Sequence, residues 1–147
     1  MTFPTIDLLR KSLEDGEVFY VELTERDGLV LKGAYNTRKK YLVILGYNRE
    51  IDSVCGVLLN SSNHAYISRY TEAYNHKIDF TQYHQFLKKE TYADCTQLVK
   101  ISLSRLEGCF VGRLTDSDTT AILKLIWNNP FLHDTDLINF NIRSADY

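Results

Sequence analysis

Residues 36–46 read Asn-Thr-Arg-Lys-Lys-Tyr-Leu-Val-Ile-Leu-Gly, so that three cations, Arg38, Lys39 and Lys40, stand directly against an apolar run. Further along, a second apolar run ends in Asn60, Ser61 and Ser62. A guanidinium grips a phosphate with two parallel hydrogen bonds. A lysine taken out of water loses its proton more readily and can then serve as a base. Amides and hydroxyls donate to non-bridging oxygens. If the two runs are strands that finish side by side, these groups converge on a site for a phosphate. A blander reading also fits: a charge run at a strand mouth discourages edge pairing and sits in water, and Asn-Ser-Ser-Asn is turn composition.

Other residues with chemical potential are more scattered. His64, His76 and His84 lie among Tyr66, Tyr70, Tyr74 and Tyr83. Histidine transfers protons near neutral pH, and aromatic rings stack on unpaired bases, yet both residue types also half-bury on barrel surfaces. Glu90 and Asp94 flank the stretch Thr-Tyr-Ala-Asp-Cys, but nothing else suggests a sugar cleft for a carboxylate pair. No Ser-His-Asp order, zinc-protease helix motif or glycine-rich phosphate loop occurs. Cys55, Cys95 and Cys109 are an odd number without close pairing, so neither a disulfide framework nor a zinc site is expected, and the thiols read as small hydrophobes. No metal and no cofactor is implied.

The elements that must hold these groups fit one domain. The chain has 147 residues, 44% hydrophobic and 24% charged, with a net charge of −2. Bulk attraction to nucleic acid is excluded, and any such contact must come from a local patch. No apolar stretch approaches a membrane span, and the first residues lack the apolar core of a secretory signal, so a cytoplasmic protein without membrane contact is expected.

A short amphipathic helix is predicted within residues 1–15, with Ile6, Leu9 and Leu13 on one face and Gly16 as the stop. Residues 16–114 supply the strands. Glu17–Thr24 alternates, and the turn signals Asp27-Gly28 and Gly33 follow. Lys40–Tyr47 and Ser53–Ser62 read as buried strands, the second ending in small polar residues, and the stretch from Asn63 to Gln85 as a strand or two with long connections. Thr91–Ser102 reads as a strand, and Leu103–Thr115 as a strand interrupted by Gly108 and Gly112. A helix over 115–129 is capped by Thr115 or Asp116, shows Ile122, Leu123 and Ile126 as its stripe, and ends at Pro130. Residues 131–147 are polar and acidic and read as a loosely held tail. The expectation is a mainly β (α+β) protein: a small, curved barrel of five to six strands with a C-terminal helix and a short N-terminal one.

From Lys40 onward the order of elements resembles the MazF/PemK/Kid toxin ribonucleases, which fold as an SH3-like barrel with a C-terminal helix. A cation precedes the first hydrophobic strand, where those toxins carry Arg-Pro, and a second strand ends in amide and hydroxyl groups. The stretch with Thr91, Gln97-Leu98, Arg105-Leu106, Gly112 and Leu114-Thr115 is similar to their pattern leading into the helix. The likeness covers roughly two thirds of the chain; the N-terminal helix and residues 63–85 fall outside it. Tyr41 replaces the proline, and lysine stands nearest the arginine.

The resemblance implies a metal-independent endoribonuclease that cuts single-stranded RNA, acts as a homodimer and is silenced by an antitoxin. It places Arg38, Lys39, Lys40, Asn60 and Ser61 in catalysis, and Ser62, Thr91 and Gln97 in substrate binding; His64, outside the likeness, joins the substrate-binding set as a histidine just past that strand end. Two alternatives stay open: a catalytically degenerate barrel that binds RNA or a protein partner, and a CcdB-like topoisomerase poison acting through its C-terminal helix and tail.

Overall fold

A computed structural model of the chain describes residues 6–27, 37–61 and 72–145, and its organising strand is the apolar run at Lys40. Strand β1 spans Glu17–Leu23, β2 Arg38–Asn48 and β3 Ser53–Asn60, with β2 in the middle and antiparallel to both neighbours. Val43 and Leu45 of β2 face one apolar layer with Val18, Cys55 and Val57, while Leu42 and Ile44 face another with Phe19, Val21 and Leu58. A strand covered on both sides has no solvent face, which is why the sequence here is continuously apolar rather than alternating.

Strand β4 (Asn75–Ile78), β5 (Thr91–Ser102) and β6 (Phe110–Arg113) complete a six-stranded antiparallel sheet in the order β4-β5-β3-β2-β1-β6. Both edge strands have four residues, which leaves little unpaired backbone to recruit a stray strand. Helix α1 (Ile6–Ser12) and a 3-10 turn at Leu103–Leu106 close the Leu42 layer. Helix α2 (Asp116–Asn128) closes the other layer through Ile122, Leu123 and Ile126, and Thr115 caps it by accepting from the Asp118 amide. Fold class is therefore as expected: mainly β, a curved six-stranded sheet with helices near both ends.

The structure corrects three local expectations. The strand expected from Lys40 starts two residues earlier, so Arg38 and Lys39 are not a mouth in front of β2 but its first residues, pairing with Leu23 and Glu22 of β1 as Lys40 pairs with Val21. Leu103–Leu106 forms a 3-10 turn rather than strand, because Leu103 and Leu106, three apart, both point into the core. Residues 131–145 are not a loose tail. Helix α3 (Asp134–Asn139) and the residues after it bury Leu137, Phe140, Ile142 and Ala145. Four apolar side chains outweigh the acidic composition around them, and Gly46 lets their backbone lie against β2, the Phe140 carbonyl accepting from the Tyr47 amide at 2.7 Å. The turn signals at Gly28 and Gly33 lie outside the described residues.

Candidate functional site

Alternation along β2 splits the three cations. Lys40 shares its face with Leu42, as does Arg38, while Lys39 shares the opposite face with Tyr41. Lys39 stands 5.7 Å from the centre of the Tyr20 ring, and Tyr20 in turn packs on Tyr41 at 4.5 Å. It lines a shallow cleft of about 570 Å³ with Tyr20, Glu22, Arg105 and Cys109. Arg38 and Lys40 belong to the other side.

On that side the two strand ends meet. Tyr41 and Leu59 are direct partners, and one step beyond them the Lys40 ammonium donates to Oδ1 of Asn60 at 2.9 Å. Lys40 is half-buried, and loss of water pushes its pKa below the ordinary lysine value; the neighbouring Arg38 charge pushes the same way, while Asp94 opposes. The Asp94 carboxylate instead accepts from the Thr96 amide at 3.0 Å and from its hydroxyl. Among the described residues neither Arg38 nor Lys40 forms an ion pair. Arg38 is exposed, and Lys40 gives one of its three N–H groups to Asn60.

Ser61 follows β3 directly and is exposed. Ser62 and His64 lie outside the described residues. Thr91 is on the far side of the sheet, 3% exposed, its hydroxyl donating to the Lys89 carbonyl. Gln97 is exposed, on the stretch of β5 where the pairing with β3 shifts register. The structure thus gathers Arg38, Lys40 and Asn60, with Ser61 next in chain, and leaves Lys39, Thr91 and Gln97 elsewhere.

Three groups owe their place near this site to the structure alone. Asp94 lies opposite Leu58, and Tyr92 lies opposite both Asn60 on β3 and Lys77 on β4. Only strand register could have revealed them, because the sequence does not say which residues of β5 and β4 stand beside Asn60.

The histidines divide as well. His76 Nε2 lies 2.8 Å from Asp118 Oδ1, and Asp118 Oδ2 accepts from the Tyr83 hydroxyl, which also accepts from the Thr115 amide. This cluster ties β4 and the 3-10 turn at Phe80–Tyr83 to the start of α2. His84 is exposed at the end of that turn. Cys55 and Cys95 are buried, and burial pushes the Cys55 thiol up to about 12, so it stays an inert hydrophobe.

The sequence matches no protein-family model and no curated protein. Solved structures do match. One is the Mycobacterium tuberculosis toxin MazF-mt6, which is 14% identical, with a TM-score of 0.52 over 80% of this chain and 98% of that one. At this identity the likeness defines the fold: the chain has a MazF-like toxin fold. Among the described residues, no helix is long and apolar enough to cross a membrane.

Proposed function

We propose that this protein is a MazF/PemK-like toxin, a metal-independent endoribonuclease that cuts single-stranded RNA, works as a homodimer and is held silent by an antitoxin in the cytoplasm. The observation that carries the reading is the Lys40–Asn60 hydrogen bond across the ends of β2 and β3, with a lysine whose proton is weakened by burial. The fold, shared with a toxin, supports it.

In this reading neutral Lys40 takes the proton of a ribose 2′-hydroxyl, and the freed oxygen attacks the adjacent phosphorus. The P–O5′ bond breaks, leaving a 2′,3′-cyclic phosphate and a 5′-hydroxyl, the departing oxygen taking its proton from water while Lys40 later returns its own to solvent. Arg38, exposed two residues from Lys40 on the same face, supplies charge for the phosphorane, since arginine is a clamp rather than a base. Asn60 keeps the ammonium aimed, and its amide nitrogen and the Ser61 hydroxyl supply donors to the phosphate.

The test is RNA cleavage by purified protein, alongside growth arrest on expression. Lys40→Ala should lower the cleavage rate by about 10²–10⁴, the range for a lost general base. The wild-type rate should climb with pH, levelling off below the ordinary lysine value of 10.5, because only the neutral amine accepts a proton. Lys40→Arg should keep the positive charge and lose that climb. Wild-type toxicity in Lys40→Ala would sink the assignment, and RNA binding without any cleavage would favour a non-catalytic barrel. A CcdB-like action through a free tail is disfavoured by the burial of Leu137, Phe140 and Ile142.

A further inference from the structure

Beyond the Lys40–Asn60 pair, the sheet carries a polar line at right angles to its strands. Asn60 stands opposite Tyr92, and Tyr92 opposite Lys77. Directly opposed residues of antiparallel strands share a face, so Lys40, Asn60, Tyr92 and Lys77 form one row across β2, β3, β5 and β4. Strands lie about 4.8 Å apart, which makes the row about 14 Å long, room for more than one nucleotide. Lys40, Asn60 and Tyr92 are half-buried and Lys77 is exposed, so the row is open to a ligand along its length.

Glu90 holds the far end in place. Its Oε1 accepts from the Tyr92 hydroxyl at 2.9 Å and lies 2.8 Å from the Lys77 ammonium. Each is thereby held by its tip, while Lys77 keeps two N–H groups for another acceptor. Lys77 and Glu90 also border a cleft of about 490 Å³, whose other lining residues are Ile78, Asp79 and Phe80. A cation, an aromatic ring and a second cation at strand spacing match a single-stranded nucleic acid, whose phosphates need charge and whose bases need a flat partner.

We propose that this row is the track for single-stranded RNA leading away from Lys40: Tyr92 stacks on a base beside the scissile phosphate, and Lys77 contacts a phosphate further along the strand. The inference rests on the ribonuclease reading but concerns other residues. It also gives β4, which lies in the segment outside the resemblance, a role in substrate binding.

The probe is a fluorescent, fully 2′-O-methylated RNA oligonucleotide, which binds without offering a nucleophile. Tyr92→Leu should weaken its binding about tenfold with an unchanged salt dependence, and Tyr92→Phe should restore it, because stacking needs the ring and not the hydroxyl. Lys77→Ala should reduce the slope of log affinity against log salt by about 0.7, the value for one phosphate contact on a single strand. Circular dichroism and a melting curve establish that each variant is folded.

If folded Tyr92→Leu and Lys77→Ala bind as the wild type does while Lys40→Ala no longer cleaves, the track is wrong and the ribonuclease reading stands. A wild-type protein that neither binds nor cuts RNA overturns both. Capture of an acidic peptide in place of the oligonucleotide assigns the row to a protein partner and also overturns the track.

Discussion

The β2–β3 hairpin ends in two different ways. At its turn end the polar groups that face α1 and the C-terminal residues are paired, while Arg49 and Glu50 at the tip point into solvent. The Asp52 carboxylate accepts from Arg10 through two nitrogens and from the Tyr47 hydroxyl, Asn141 donates to the Tyr47 carbonyl at 2.9 Å, and Phe140 lies on the backbone at Gly46. At its open end Lys40 has only Asn60, and Arg38 stands exposed among the described residues. The two ends belong to the same pair of strands and differ in what is left over. Saturated polar groups hold a fold, whereas donors with unused capacity next to a half-buried cation are what a phosphate needs.

The largest effect that would sharpen this contrast is steric. A methyl group at Gly46 would lie 2.2 Å from the Phe140 carbonyl oxygen and 2.7 Å from the Ile142 side chain, closer than atoms tolerate. Backbone cannot swing aside as a side chain can, so Gly46→Ala should cost about 3 kcal/mol or more, above the usual range for overpacking. Asn60→Ala at the other end should cost about 1 kcal/mol or less, one solvent-accessible hydrogen bond. Urea unfolding of both variants measures the difference. Equal losses would mean that the open end is as structural as the turn.

The same contrast explains how much of the molecule could be read in advance. The β2 and β3 runs and the α2 stripe with its Thr115 cap depend on local pattern, and each appears where the residues place it. The pairing of Lys40 with Asn60 needed only that the two runs be neighbours. The place of Tyr92 and Lys77 beside Asn60 is not legible in the sequence, because it is set by register across three strands. The tail's burial is illegible for a related reason: Phe140 and Ile142 acquire a partner only where Gly46 presents bare backbone. Splitting Arg38 and Lys40 from Lys39 was available from the two-residue period of a strand, provided the strand was taken to begin at Arg38.

Acid should test the saturated end. Hydrogen bonds from Arg10 and then Tyr47 hold the Asp52 carboxyl at about 2, against an ordinary value of 3.8. A depressed carboxyl stabilises the folded state fully above its unfolded value and loses that contribution as pH falls through the folded one. Stability should therefore decline between about pH 4 and pH 2 in part through this group. Asp52→Asn should flatten that part of the profile and lower stability at neutral pH, as followed by thermal melting from pH 2 to pH 7. An unchanged acid limb would show that the Arg10–Asp52–Tyr47 connection does not tie α1 to the hairpin in solution.

The smallest effect expected belongs to Lys40 itself, and its sign runs the other way. Burial lowers the folded pKa of Lys40 below 10.5. Below the folded value both states are protonated, and the native protein bears the whole cost of a half-buried charge. Between the folded value and 10.5 the unfolded chain keeps a proton that the native state has released, so stability gained from Lys40 grows as pH rises. Lys40→Met removes the charge and keeps the volume. At pH 7 the variant should be as stable as the wild type or slightly more so, by about 1 kcal/mol at most. The gap should then close on moving toward alkaline pH, and comparing the two proteins at each pH cancels the titration of every other lysine and tyrosine. A gap that does not move with pH would mean that Lys40 is fully hydrated, and a hydrated lysine is too strongly protonated to take the 2′-hydroxyl proton near neutrality.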